Sequence, residues 1–230
     1  MKHDIKTVTA GFRTAGEYIS GEPYGSGHIN DTYLVICKDG AGQKKYILQH
    51  INENVFKNPP VVMKNIERVV GHIHHKLKTS GEKDIERSVL TLVPVKQDGS
   101  WLKDGSGLYW RMYVFIEKAA TYDVIASPAM AYEAARAFGR FQELLADLDK
   151  PRLEEPIPDF HNTPKRFETL ERAIKENRAG RAGKCGPEID FALSRKSIAA
   201  TLIDAMNSGS IPERTTHNDT KLNNVMIDDK

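Results

Sequence analysis

The sequence predicts an α+β chain in two parts, an antiparallel sheet carrying one helix and then a mostly helical half. Three observations carry this. Between residues 21 and 117, β-prone runs alternate with turn residues, interrupted by one helical stretch. Asp39-Gly40, Asp98-Gly99 and Asp104-Gly105 punctuate that half as tight turns, which join antiparallel neighbours. From 128 to 206 apolar residues recur at helical spacing. The expected boundaries are 1–117 for the sheet lobe and 118–230 for the helical lobe.

Taken in order, residues 1–20 predict a short helix or lead-in, with Phe12, Ala15 and Ile19 at helical spacing. Glu22 to Ile36 reads as a turn and then a strand, and Lys45 to Asn52 as the strand after the Asp39-Gly40 hairpin. Pro60 to Lys78 predicts a helix whose stripe is Val62, Ile66, Val69, Val70 and Ile73, with Pro60 in the first turn. Val89–Val93, a short strand at Trp101 and Leu108–Glu117 complete an expected five-strand sheet. Pro128 to Leu148 predicts a helix capped by Ser127, with Phe138, Phe141, Leu145 and Leu148 as core and Gly139 allowing close packing. Residues 151–158 form a proline-bearing linker. A helix capped by Thr163 runs to about Asn177, and 177–186 is a surface loop. Ile189 to Met206 is then one helix with Phe191, Ile198, Leu202 and Ala205 inward. His72, His74 and His75 do not share one helix face, so they read as surface histidines rather than as metal ligands.

The end of the chain carries the chemistry. Thr215 to Asp228 contains His-x-Asp-x-x-x-x-Asn as His217, Asp219 and Asn224. That spacing is the catalytic loop of protein-kinase-like phosphotransferases. A hydroxyl acceptor needs a carboxylate to orient it and take its proton, which Asp219 supplies. Magnesium wants oxygen ligands, and the Asn224 amide supplies one. His217 holds the loop's shape, and Lys221 neutralises phosphate charge. Upstream, Gly25 and Gly27 let backbone N–H groups approach phosphates, with Asn30 standing where a third glycine would be. Laid on the phosphate-gripping strand pattern, Gln49 occupies the lysine position, with Ile47 on its face. The alternative for Gln49 is a surface residue on an edge strand. Glu67 is the candidate acidic residue of the sheet lobe's helix, or a solvated glutamate. Glu117 opens the expected hinge, whose backbone faces an adenine edge. Asp159, His161 and Arg166 sit beside two phenylalanines, which suits a sugar or amine hydroxyl; the alternative is a capped helix start on a solvated loop.

The bulk composition narrows the partners. Lysine plus arginine is 33 against 31 acidic residues, a net charge of +2, which argues against a nucleic-acid partner. No stretch approaches a membrane span and no signal peptide is visible, so no membrane partner and a cytoplasmic location are expected. Cys37 and Cys185 read as free thiols of a reducing compartment.

The chain-end motif, Tyr-Ile-Leu-Gln-His-Ile-Asn at 46–52, Ile-Pro-Asp-Phe-His-Asn-Thr-Pro at 157–164 and Phe-Gly-Arg-Phe-Gln at 138–142 together resemble the aminoglycoside phosphotransferase/choline kinase group. Within it they are most similar to bacterial N-acetylhexosamine 1-kinase-like phosphotransferases. The resemblance implies a protein-kinase-like two-lobed fold, ATP with Mg2+, and a small-molecule sugar or amino-alcohol substrate. It implies Asp219 as catalytic base, Asn224 as a magnesium ligand, and a Gln49 shared by that branch. The expected activity is phosphorylation of an N-acetylhexosamine at C1. Rival expectations are a kinase of the same fold for an aminoglycoside, amino alcohol or homoserine, and an inactive truncated or pseudokinase fragment. The last is favoured by Gln49 in the lysine position and by an expected second metal-binding aspartate beyond residue 230.

Overall fold

The computed structural model describes residues 3–228 other than 26, 28, 41 and 149. Two compact units divide the chain: Met1–Pro156 with Asp219–Lys230, and Ile157–Asn218.

The first unit is built on an antiparallel sheet of five strands, in line with the predicted α+β class. Its strands are β1 (Glu17–Pro23), β2 (Asp31–Asp39), β3 (Gly42–His50), β4 (Trp101–Lys103) and β5 (Tyr109–Val114), in the order β1-β2-β3-β5-β4. Side chains alternate across a strand, so each strand gives one face to the core and one to the other side. On β2, β3 and β5 the core face is Val35, Cys37, Leu48, Trp110 and Met112, none more than marginally exposed. A short helix, α1 (Ile5–Thr9), closes over it with Ile5 and Val8, joined by Phe12, Val93 and Val95. Asp4 caps α1 by accepting from Thr7 N. The opposite face presents Thr32, Ile47, Gln49 and Arg111, all half-buried. β3 lies in the middle, so Gln49 is on a central strand and not on an edge.

The helix α2 (Pro59–Thr79) follows the prediction closely, with both prolines in its first turn where no N–H partner is needed. It is followed by a single turn, α3 (Ile85–Ser88). Ile73 and Leu77 of α2 form a second cluster with Leu145, just past α4 (Pro128–Leu144), and with Val69, Phe141, Leu144 and Leu148 around it. Ser127 caps α4, accepting from Met130 N at 3.2 Å. A small second sheet pairs β6 (Ala119–Ala120) with β7 (Ile227–Asp228), bringing the chain's last described strand to the segment after β5.

In the second unit are α5 (Thr163–Glu176), α6 (Gly186–Leu193) and α7 (Thr201–Asn207). No described residue of this unit is fully buried.

Several expectations are corrected. Phe12, Ala15 and Ile19 do not share a helix: Phe12 enters the core, while Ile19 lies on β1. Val89–Val93 is not a strand; only Leu92 makes a bridge, to Tyr113, so the fifth strand is β1 instead. Gly139 is not a close-packing point, since a Cβ there would meet nothing within 4 Å. Asn162, not Thr163, caps α5 by accepting from Lys165 N. The expected helix 189–206 is broken between α6 and α7, and Phe191, Ile198 and Leu202 are 60%, 64% and 67% exposed rather than inward. Their spacing was helical, but a helix-length apolar stripe does not by itself supply a surface to pack on.

Candidate active site

The loop after Thr216 turns through one 3-10 turn, Leu222–Asn224, before β7. Asp219 is the point on which it converges. Asn224 Nδ2 donates to the Asp219 carbonyl at 2.7 Å and to its carboxylate at 2.9 Å. Lys221 Nζ lies 3.2 Å from the same carboxylate oxygen. Lys221 N donates to Asp219 O and Asn224 N to Lys221 O, which fixes the spacing from the backbone upward. The five-residue separation in the motif is thus one tight turn, and all three side chains are solvent-facing and able to meet a ligand. Because the Asn224 amide turns its nitrogen to Asp219, its oxygen points away as an acceptor, which fits a hard cation. Val225 is buried and anchors the loop, and Asn223 Nδ2 donates to Asp123 Oδ1 at 2.8 Å.

Within the second unit His217 is half-buried, and the residue following it is held from two sides. His161 Nε2 donates to Asn218 O at 2.8 Å, and Thr216 Oγ1 to Asn218 Oδ1 at 2.8 Å. His161 therefore spends one ring nitrogen on loop backbone. Arg166 Nε donates to Phe160 O at 3.0 Å, with its guanidinium 5.1 Å above the Phe160 ring. Asp159 has a φ of 55° and accepts from Asn162 Nδ2 at 3.0 Å. Asp159, His161 and Arg166 belong to one turn, knitted largely to itself.

At the glycine loop between β1 and β2, Gly25 has a φ of +79°, which favours glycine, and at Gly27 a Cβ would meet nothing within 4 Å. Asn30, in the third-glycine position, has structural work: Asn52 N donates to its Oδ1 at 3.1 Å, while Asn52 Nδ2 donates to Ile29 O at 2.8 Å. The pair ties the loop's end to the chain leaving β3.

Gln49 sits between two partners on its face. Its Nε2 donates to Thr32 Oγ1 at 3.0 Å, and Arg111 Nε donates to its Oε1 at 3.1 Å. A cation therefore stands one residue away from the neutral side chain that occupies the lysine position. Arg111 also lies 5.3 Å from the Tyr113 ring centroid, and burial pushes the Tyr113 phenol up, opposed by that arginine. Sequence reading missed Arg111. The available signal was a lone arginine inside the apolar run Tyr109–Val114, on the face shared by alternation with Gln49.

Glu67 accepts a short hydrogen bond from Ser100 Oγ rather than from Gln49. Glu117 pairs with Lys45 at 3.1 Å. The backbone carbonyls of Glu117 and Lys118 both accept from Arg87, which also binds Asp228 Oδ2 at 2.6 Å. Arg87, also missed, fastens α3 to the β6–β7 pair. No helix among the described residues is long and apolar enough to cross a membrane.

The sequence pattern described as the phosphotransferase enzyme family matches residues 20–230, which takes in the glycine loop, Gln49 and the whole turn around Asp219.

Proposed function

The chain belongs to the phosphotransferase enzyme family, and on that premise we propose that it transfers the γ-phosphoryl group of ATP to the anomeric hydroxyl of an N-acetylhexosamine. The family match establishes a phosphotransferase of the small-molecule kinase type. The observation that supports the catalytic assignment is the meeting of Lys221 and Asn224 on Asp219. Asp219 orients the acceptor hydroxyl and takes its proton as the new O–P bond forms. Lys221 holds that carboxylate and offsets phosphate charge. The Asn224 amide oxygen is the residue group to hold Mg2+, which supplies charge neutralisation on the phosphoryl oxygens. Gly25 and Gly27 lie over the phosphates, and Gln49, backed by Arg111, grips them. Glu67, held by Ser100, is the acidic residue that α2 contributes to the nucleotide lobe, and Glu117 begins the adenine-binding hinge between lobes at 1–117 and 118–230. His217 keeps the loop in shape. Asp159, His161 and Arg166 are the residues assigned to acceptor recognition. The reaction takes place in the cytoplasm.

A second reading, nucleotide binding without turnover, is favoured by the neutral Gln49 in the lysine position. One experiment addresses both. The purified protein is incubated with ATP and Mg2+ against N-acetylglucosamine, N-acetylgalactosamine, aminoglycosides, amino alcohols and homoserine, with products followed by phosphorus NMR and ATP binding by calorimetry. A sugar 1-phosphate from the hexosamines alone is expected. Turnover confined to another acceptor overturns the sugar assignment and keeps the kinase. ATP binding with no turnover on any acceptor selects the second reading.

A further inference from the structure

We propose that His3, Asp31 and His50 form a binding site for a divalent transition metal of the zinc class, apart from the magnesium expected with the nucleotide. The three residues come from three places: the segment before α1, the first residue of β2 and the last of β3. Asp31 and His50 are direct partners in the β2–β3 register, so the sheet itself sets two of the donors side by side. The N-terminal segment brings the third.

The geometry is that of a small donor cluster. His3 Nε2 and His50 Nδ1 each lie 3.2 Å from the same oxygen, Asp31 Oδ2. Donor atoms from all three residues fall within 4.8 Å of one another. Donors on a common zinc ion, each ~2.0–2.2 Å from it, are separated by about 3–4 Å, so small side-chain movements close the site. Two imidazoles and one carboxylate make the donor set of three-ligand zinc sites that keep a fourth position open. Magnesium prefers oxygen donors and keeps its waters, so this set selects against it.

The two imidazoles are mostly enclosed, while the Asp31 side chain is 36% exposed and leaves the cluster open to solvent on one side. The His3 and His50 side chains are only 10% and 15% exposed. The Trp110 ring lies 5.0 Å from that of His3 and 5.3 Å from that of His50, and Tyr33 stands 6.2 Å from His3. Hydrogen bonding inside the cluster leaves it incomplete: His50 Nε2 is buried with no partner among the described residues. An ion among these donors would take His50 through Nδ1, in place of the proton that Nδ1 shares with Asp31. The ion would fasten residue 3 to the exit of the 24–30 loop and to the strand that carries Gln49.

Two of the three histidines of α2 are engaged elsewhere. His72 Nε2 is engaged by Leu144 O and Asp147, and His74 Nε2 lies against Leu90 O. They also provide the control, because they remain when the cluster is altered. The whole chain is stripped with a chelator and titrated with Zn2+ against a chromophoric competitor, and separately with Co2+ while the visible absorption is recorded. Wild type is expected to take up one equivalent of Zn2+ and to show Co2+ bands of a nitrogen–oxygen donor set. His3→Ala, which lies outside every strand and should leave the far-ultraviolet circular dichroism unchanged, is expected to lose at least tenfold in affinity together with the Co2+ bands; Asp31→Asn should lose both as well. Absence of stoichiometric uptake by wild type overturns the proposal. So does uptake of equal affinity in His3→Ala, which would place the metal on the α2 histidines or elsewhere.

Discussion

A carboxylate that takes a proton from a hydroxyl must be held still and kept charged. In the proposed reaction that carboxylate is Asp219, and a single turn holds it in place through the Asn224 amide and the Lys221 ammonium. Asp219→Asn keeps the shape and one acceptor oxygen but removes the base. In a phosphorylation assay we expect kcat to fall by about 10²–10⁴-fold, with the Michaelis constants for ATP and acceptor little changed. A variant keeping half its rate would remove Asp219 from the mechanism. Gln49 and Arg111 make a second test. Gln49→Ala loses neutral hydrogen bonds worth roughly 0.5–1.5 kcal/mol, so the Kd for ATP should rise about two- to tenfold by calorimetry. Arg111→Ala removes the only formal charge recorded in that pair and should weaken ATP more. A smaller effect from Arg111→Ala than from Gln49→Ala would show that its charge does not reach the nucleotide. The turn around Asp219 was legible beforehand because its bonds join residues at most five apart. The Gln49–Arg111 bond joins residues 62 apart, and only the register of β3 on β5 creates it.

Elements were legible where period and turn chemistry agreed. The β2–β3 hairpin around Asp39-Gly40 and the proline-started helices α2 and α4 fall where their turns, caps and stripes indicate. They were misread where a short apolar spacing admitted two answers: Phe12 and Ile19, seven residues apart, suit a helix, yet one enters the core from a loop and the other rides an outer strand. The turn between β4 and β5 shows what a polar residue does for an element. Asp104 accepts from Ser106 N at 2.9 Å, Leu108 N at 3.0 Å and the indole of the fully buried Trp110 at 2.8 Å. Burial pushes its carboxyl up, but the hydrogen bonds from Trp110, Leu108 and Ser106, with a smaller pull from the charge of His3, together bring it below the usual carboxylate value. Asp104→Ala leaves the Trp110 N–H without a partner and should cost roughly 1–3 kcal/mol in urea unfolding. The sign of its pH dependence follows from the lowered folded value. The contribution is full above the unfolded carboxyl's value near 3.8 and is lost as pH falls through the lower folded one. The gap between wild type and Asp104→Ala should therefore shrink as pH falls below about 4. A gap that widens as pH falls below about 4 would mean the carboxylate is not what holds the turn.

At the scale of the whole molecule, the two units differ in how they are held. The first has a continuous core around Trp110, Met112, Leu48 and Val35, and a second cluster around Ile73, Leu77 and Leu145. The second has no fully buried described residue and leaves Phe191, Ile198 and Leu202 more than half exposed. Local contacts hold it: Arg195 lies 3.4 Å from the Phe191 ring centroid, and Lys196 pairs with Glu171 at 2.5 Å. Exposed ion pairs of that kind contribute about 0–1 kcal/mol each, far less than burial of a large apolar side chain, about 1.5–3 kcal/mol. Opening free energies within one protein range from near zero to the full unfolding value according to such differences. Amides of β2, β3 and β5 should then exchange with deuterium at least about a hundredfold more slowly than those of α6 and α7. Trypsin should cut first at the exposed Arg178, Arg181 and Lys184 and leave the sheet intact. Adding ATP and Mg2+ should protect residues 219–224 without protecting α6, because the residues assigned to the nucleotide lie in the first unit. Equal exchange in both units of the free protein, or ligand protection centred on α6 and α7, would contradict this division of stability.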